Sequence, residues 1–282
     1  STAFFNGGLF SSYRGDKYEM HFIFNNDNLK MRENGGITDD RYITDPLEMA
    51  EGKKQYASTD IPTLFNKVWN HNTSYHTFLT HRYNLGFYKE REDSLTTDSV
   101  QIVQDFVPVT SFIHTLELDL NGRKYITQDD SQNRDFFEHT YFGNDSIDKN
   151  RRTSIRNTFG ISLREGFNKW AKAGLTAFLT HEYRDFTLPD STNIPGARVI
   201  KHYKENVVYV GGELLKQQGN LLHYKVLGEF AVAGEDAGQF RVEGNGDLNL
   251  NILGDSVRLD VNAYVKNLNP VFYYRNFHSK HY

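Results

Sequence analysis

The sequence has no cysteine, so neither disulfides nor thiolate metal centres hold this chain together. Proline is scarce at 6 of 282 residues. No run approaches 18 consecutive apolar residues, and with a mean hydropathy of −0.63 a transmembrane helix is excluded. A spanning β-strand is not excluded by the same numbers, because only every second residue of such a strand has to be apolar. Charge of one sign is also lacking: 32 basic residues face 36 acidic ones, for a net −4. That balance leaves no basic footprint for nucleic acid. The chain opens at Ser1 with no signal peptide, which reads as a processed or partial chain.

What is present is aromatic and glycine-rich, with 17 Tyr, 21 Phe and 22 Gly. This composition suits β-structure with tight turns. One period dominates, and it is two. Ile155, Asn157, Phe159, Ile161 and Leu163 alternate with Ser154, Arg156, Thr158, Gly160 and Ser162. After Glu165-Gly166 a second strand, over 168–184, sets Leu175 and Leu179 against Lys172, Thr176 and Glu182, with Leu175 and Thr176 near its middle. The pattern recurs in 222–232 around Val226 and Phe230, in 240–250, in 257–265 through Val257, Leu259 and Val261, and in 75–87 through Leu79 and Leu85. The apolar faces of these six strands carry no Asp, Glu, Lys or Arg. The opposite faces, with the turn residue Arg164, carry Arg82, Arg156, Lys172, Lys225, Arg241 and Arg258 alongside Glu182, Glu229, Glu243, Asp247 and Asp260.

Tight turns are expected at Arg14-Gly15-Asp16-Lys17, Asn121-Gly122, Glu165-Gly166, Gln218-Gly219-Asn220 and Gly254-Asp255. Between them run longer polar connections at about 25–71, 128–150 and 186–202, and a short helix fits Ile61 to Trp69 in the longest. Alternating short and long connections mark an all-β, antiparallel up-and-down transmembrane barrel of about 11–12 strands spanning 1–282. The turns at 14–17 and 121–124 should share one membrane side, yet the strands between them give the wrong parity. Either a crossing lies unseen within 25–110, or Asn121-Gly122 is not a turn. A soluble β-sandwich buries one strand face as well. Its strands are much shorter, at about 5–6 residues, than the alternations over 73–88 and 168–184.

In this barrel Leu79, Leu85, Phe159, Ile161, Leu175, Leu179, Val226, Phe230, Val257, Leu259 and Val261 face lipid, and the charged set faces the lumen. Seven basic against five acidic residues do not make a ring of one sign, so strong ion selectivity is not expected. Eleven histidines include no His-x-His pair, and His71, His76 and His81 alternate faces, so they read as lumen or interfacial residues and not as a metal site. Acidic clusters such as Asn25-Asn26-Asp27-Asn28, Asp39-Asp40 and Asp129-Asp130 lack the spacing of a calcium loop and read as solvated loops. No catalytic or phosphate-binding motif is present, so neither an enzyme nor a cofactor is expected. Phe78-Leu79-Thr80-His81-Arg82-Tyr83 nearly recurs as Phe178-Leu179-Thr180-His181-Glu182-Tyr183. The repeat reads as two strands meeting the same interface, with paired pore sites at Arg82 and Glu182 as the rival reading.

The segment Asn72-Thr73-Ser74-Tyr75-His76-Thr77-Phe78-Leu79-Thr80-His81-Arg82-Tyr83-Asn84-Leu85-Gly86-Phe87-Tyr88 resembles the large porins of Bacteroidetes outer membranes. Phe106-Val107-Pro108-Val109-Thr110-Ser111-Phe112-Ile113-His114-Thr115, Asn34-Gly35-Gly36-Ile37 and Pro270-Val271-Phe272-Tyr273-Tyr274-Arg275-Asn276-Phe277-His278-Ser279 extend the likeness. The resemblance implies a Gram-negative outer-membrane location, contact with outer-membrane lipid, and further strands beyond this chain, since such porins are longer. It implies no cargo and no catalytic residues. The function expected is passive passage of small polar solutes. The alternatives are a barrel that serves as an adaptor or receptor among other envelope proteins, and a soluble β-sandwich binding module.

Overall fold

A computed structural model describes residues 2–96, 99–128, 136–137, 139, 141, 146–166, 173–191, 198–252 and 255–279. Ten antiparallel strands form one sheet in strict chain order. They are β1 (Ala3–Arg14), β2 (Tyr18–Glu33), β3 (Val68–Thr96), β4 (Ser99–Thr127) and β5 (Ile147–Leu163), followed by β6 (Gly174–Ser191), β7 (Arg198–Lys216), β8 (Leu222–Gly234), β9 (Phe240–Ile252) and β10 (Asp255–Asn267). The sheet is open: among the described residues, the outer edges of β1 and β10 pair with nothing. A two-sheet sandwich is not what this chain forms.

The expected all-β, up-and-down architecture is therefore present, with ten strands among the described residues where the sequence suggested eleven or twelve. The parity conflict resolves at Asn121-Gly122, which is not a turn. Both residues lie inside β4, paired with Ser74 and Thr73 on one side and with Arg152 and Arg151 on the other. The hairpin between β3 and β4 turns instead near Thr96 and Ser99. Strands also reach further than the alternation suggested, so the longest connection spans 34–67 and not 25–71, and β6 and β7 occupy most of 186–202. The run Asn25-Asn26-Asp27-Asn28 belongs to β2, where polar side chains on both faces hide the period. Backbone pairing holds that stretch without any apolar stripe. The longest connection carries two short helices, α1 (Arg41–Thr44) and α2 (Pro46–Met49), while no helix forms over 61–69. Leu175 is the second residue of β6, so it lies near the turn and not at mid-strand. Lys172, Asp129-Asp130 and Gly254 fall outside the described residues.

The apolar side chains are largely on the outside. Phe159 is 59% exposed, Leu179 51% and Leu259 53%. A compact apolar cluster gathers on the other face, where Phe186 and Leu188 of β6 meet Phe272 of α3 (Phe272–Arg275), the short helix after β10. Phe272 stacks on Phe186 with ring centroids 4.0 Å apart. In a flat sheet β6 and β10 would lie about 19 Å apart. The chain returns to β6 on this face within five residues of Asn267, as a sheet curling toward this face allows.

Candidate functional site

Hydrogen-bonded rows place the predicted residues that the structure describes, all but Lys172, on two faces. Leu85, Leu175 and Val226 share a row, running through Thr110, Leu163 and Leu214. Phe159, Leu179 and Phe230 share another, through Val210. Leu79, Ile161, Val257, Leu259 and Val261 lie on the same outward face. On the opposite, inward-curling face, one row carries Arg82, Glu229 and Arg241. Arg156 pairs directly with Glu182, and Lys225, Glu243, Arg258 and Asp260 occupy the same face. Each side's residues thus share one face.

The inward face is a network of ion pairs. Arg156 reaches Glu182 at 3.3 Å and Glu229 at 2.6 Å, and Glu229 also meets Arg241 at 3.0 Å. Glu243 continues the chain from Arg241 to Lys266, which it meets at 2.8 Å. The Arg156–Glu229 contact spans β5 to β8, strands that stand about 14 Å apart in a flat sheet, so it requires the curl. Lys225 pairs with Glu213 at 3.0 Å, and Arg258 pairs with Asp260 at 3.0 Å and approaches Asp247 at 3.8 Å. The side chains of Glu182 and Glu229 are 9% and 8% exposed. A carboxylate so shielded is tolerated only with its countercharge in place.

A second cluster lies closer to the long connections. Arg184 contacts Glu205 at 3.1 Å and Asp236 at 2.6 Å, while the Tyr209 hydroxyl donates to Asp236 at 2.8 Å. Arg275 of α3 approaches Glu205 at 3.4 Å. Sequence reasoning missed this cluster because it ended the strand at residue 184. The continuing alternation of Arg184, Phe186 and Leu188 was the signal that could have found it.

Arg82 and Glu182 are not brought together. The two near-repeats run in opposite directions on β3 and β6 and cross at their threonines, which share one row. There Thr80 bonds Thr115 at 3.0 Å and Thr158 bonds Thr180 at 2.9 Å, a band of hydroxyls across the inward face. His81 and His114 pair on the outward face at 2.8 Å.

What the arrangement offers is a charged, inward-curled wall whose back carries an uncharged band, with outward charges such as Lys30, Lys124 and Lys149 lying toward the long connections. No curated protein and no solved structure matches the chain. A family model described as putative porin matches residues 1–282. The sheet, its two-faced chemistry and this match agree, and the chain belongs to the putative porin family.

Proposed function

We propose that this sheet is the wall of an outer-membrane channel whose inward face lines a watery path and passes small polar solutes passively. The observation that carries the reading is a drift in the turn-side rim. One row joins Tyr18, Tyr83, Phe112, Ile161, Ala177, Gly212, Gly228, Val242 and Val265. Tyr18 opens β2, Ala177 is three residues into β6, Gly228 six into β8, and Val265 ten into β10. The rim is level only if the strands lean. Ten residues of rise over the eight strand intervals from β2 to β10 correspond to about 40°, within the roughly 35–45° of membrane barrels. The same tilt levels the uncharged outward band, which suits a planar hydrocarbon slab.

Membership of a porin family supports the outer-membrane location and a channel in preference to an enzyme. The test is conductance of the full-length protein in planar bilayers. The paired charges of the inward face lead to an open channel with a cation-to-anion permeability ratio near one. A correctly inserted barrel without conductance would overturn the reading.

A second reading, an adaptor or receptor subunit contacting other envelope proteins, draws on the β3–β4 hairpin. From Gly86 to Thr96, β3 pairs with β4 alone, running past the ends of β2 at Tyr18 and β5 at Leu163. Its tip lies on the side of the tight turns, which is the periplasmic side in such barrels. Replacing residues 89–104 by a short turn separates the two roles. A channel keeps its conductance, whereas an adaptor loses its envelope partners.

A further inference from the structure

Toward the long connections, the inward faces of β1 to β6 and the segment after β10 line a half-open cavity of about 630 Å³. Its floor is a polar checkerboard. Ser74, Asn121 and Arg152 follow one another along one row, and Asn72, Arg123 and Asn150 along the next. Phe186, Phe272 and Tyr273 add an aromatic panel.

The three arginines that line it differ in how far they are committed. Arg184 is held by Glu205 and Asp236. Arg123 gives its Nε–H to Asn70 Oδ1 at 3.0 Å and, among the described residues, meets no carboxylate. Among the described residues, the one carboxylate that Arg152 approaches is Glu182, at 4.0 Å, and that carboxylate is already held by Arg156 at 3.3 Å. Asp27, the acid in the lining, accepts the side-chain amide of Asn6. Each guanidinium carries five N–H donors, so most of those on Arg123 and Arg152 remain available. The Asn121 carbonyl oxygen accepts from Ser74 at 2.8 Å, which leaves its amide N–H groups free to donate, as Asn72 and Asn150 can.

Two neighbouring guanidinium groups suit an anionic oxygen cluster, with carboxylate and phosphate equally matched to the fork. Flanking amides suit hydroxyls, and the aromatic panel suits the apolar face of a small ring. The volume lies within the range of small-molecule sites, roughly 300–1,000 Å³. We infer that the cavity is a binding station for a small hydroxylated anion, such as a hexose phosphate or a hexuronic acid, inside a pore whose overall charge is balanced. The inference deepens the channel reading and rests on it for access from solution.

The test is calorimetric titration of the detergent-solubilised full-length protein with glucose 6-phosphate, glucuronate and glucose, run beside bilayer conductance. One or both anions should bind at least tenfold more tightly than glucose, and the difference between them identifies the head group. Arg123→Gln with Arg152→Gln should weaken anion binding at least tenfold. Lys53→Gln, which removes a charge from the exposed 34–67 connection, should leave it unchanged. Arg152→Gln alone should weaken binding measurably even if the double variant does not fold. Equal binding of glucose, no binding of either anion, or binding indifferent to the arginines would overturn the inference. Conductance, read separately, reports on the channel itself.

Discussion

The glycine at 234, the last residue of β8, cannot be replaced without moving backbone. Its φ is +94°, and a Cβ there would stand 1.7 Å from the Asn206 carbonyl oxygen. This close approach begins the turn that carries Asp236 under Arg184 and Tyr209. Gly234→Ala should therefore cost roughly 1–3 kcal/mol, read as a lower temperature for the heat-dependent band shift of the folded protein. The exposed connection after β2 holds a simpler device. Arg41 donates to both carboxylate oxygens of Asp39 and its backbone N–H adds a further bond, which lowers the Asp39 pKa to about 2. A depressed carboxyl pKa means the contact is fully formed above the ordinary carboxylate range and is lost as pH falls through about 2. A carbon-detected titration should show Asp39 still ionised at pH 3, and in Arg41→Gln it should titrate near the ordinary value. No sequence pattern marked either site: Asp39-Asp40 read as a solvated acidic pair, and Gly234 depends on a neighbour 28 positions away.

Among elements, β6 tests the two-faced reading most directly. Leu179 and Thr176 point to opposite faces, with Leu179 half exposed on the outward side and Thr176 bonded to Ser162 at 2.9 Å on the inward side. In a barrel wall, Leu179→Arg places a charge in hydrocarbon at a cost of roughly 2–4 kcal/mol near the midplane. A nitroxide at 179 should collide with oxygen, which concentrates in lipid, and one at 176 with a water-soluble relaxation agent. A label at 179 shielded from both would mean that the outward face packs against protein. The sequence made this strand legible wherever one face was uncharged and the other polar. It was silent toward the long connections, where β2 carries Asn25 and Asp27 on one face and Asn26 and Asn28 on the other. There the strand is specified by pairing with β1 and β3, which no single segment displays. Asn121-Gly122 misled for the converse reason: a strong local turn signal lies within a 29-residue strand that is paired on both sides at that point, and the pairing overrides it.

For the molecule as a whole, the sheet's two bare edges matter more than any side chain. Within hydrocarbon, an unpaired edge leaves backbone N–H and C=O groups unsatisfied at several kcal/mol each, and β1 and β10 are 12 and 13 residues long. Insertion and closure should thus be a single cooperative event. Since ten strands alternate in direction, β1 and β10 run antiparallel to one another. With antiparallel pairing throughout, they can meet directly or across an even number of further strands, not across an odd number. The heritable unit of size is then the hairpin. Removing the β8–β9 pair, from Leu222 to Ile252, should still give a protein that inserts and shows the heat-dependent shift. Removing β9 alone should not, because it forces two neighbours to run parallel across a short connection. A lineage that enlarges or narrows such a channel would do so by gaining or losing hairpins, so pore widths would change in steps of two strands.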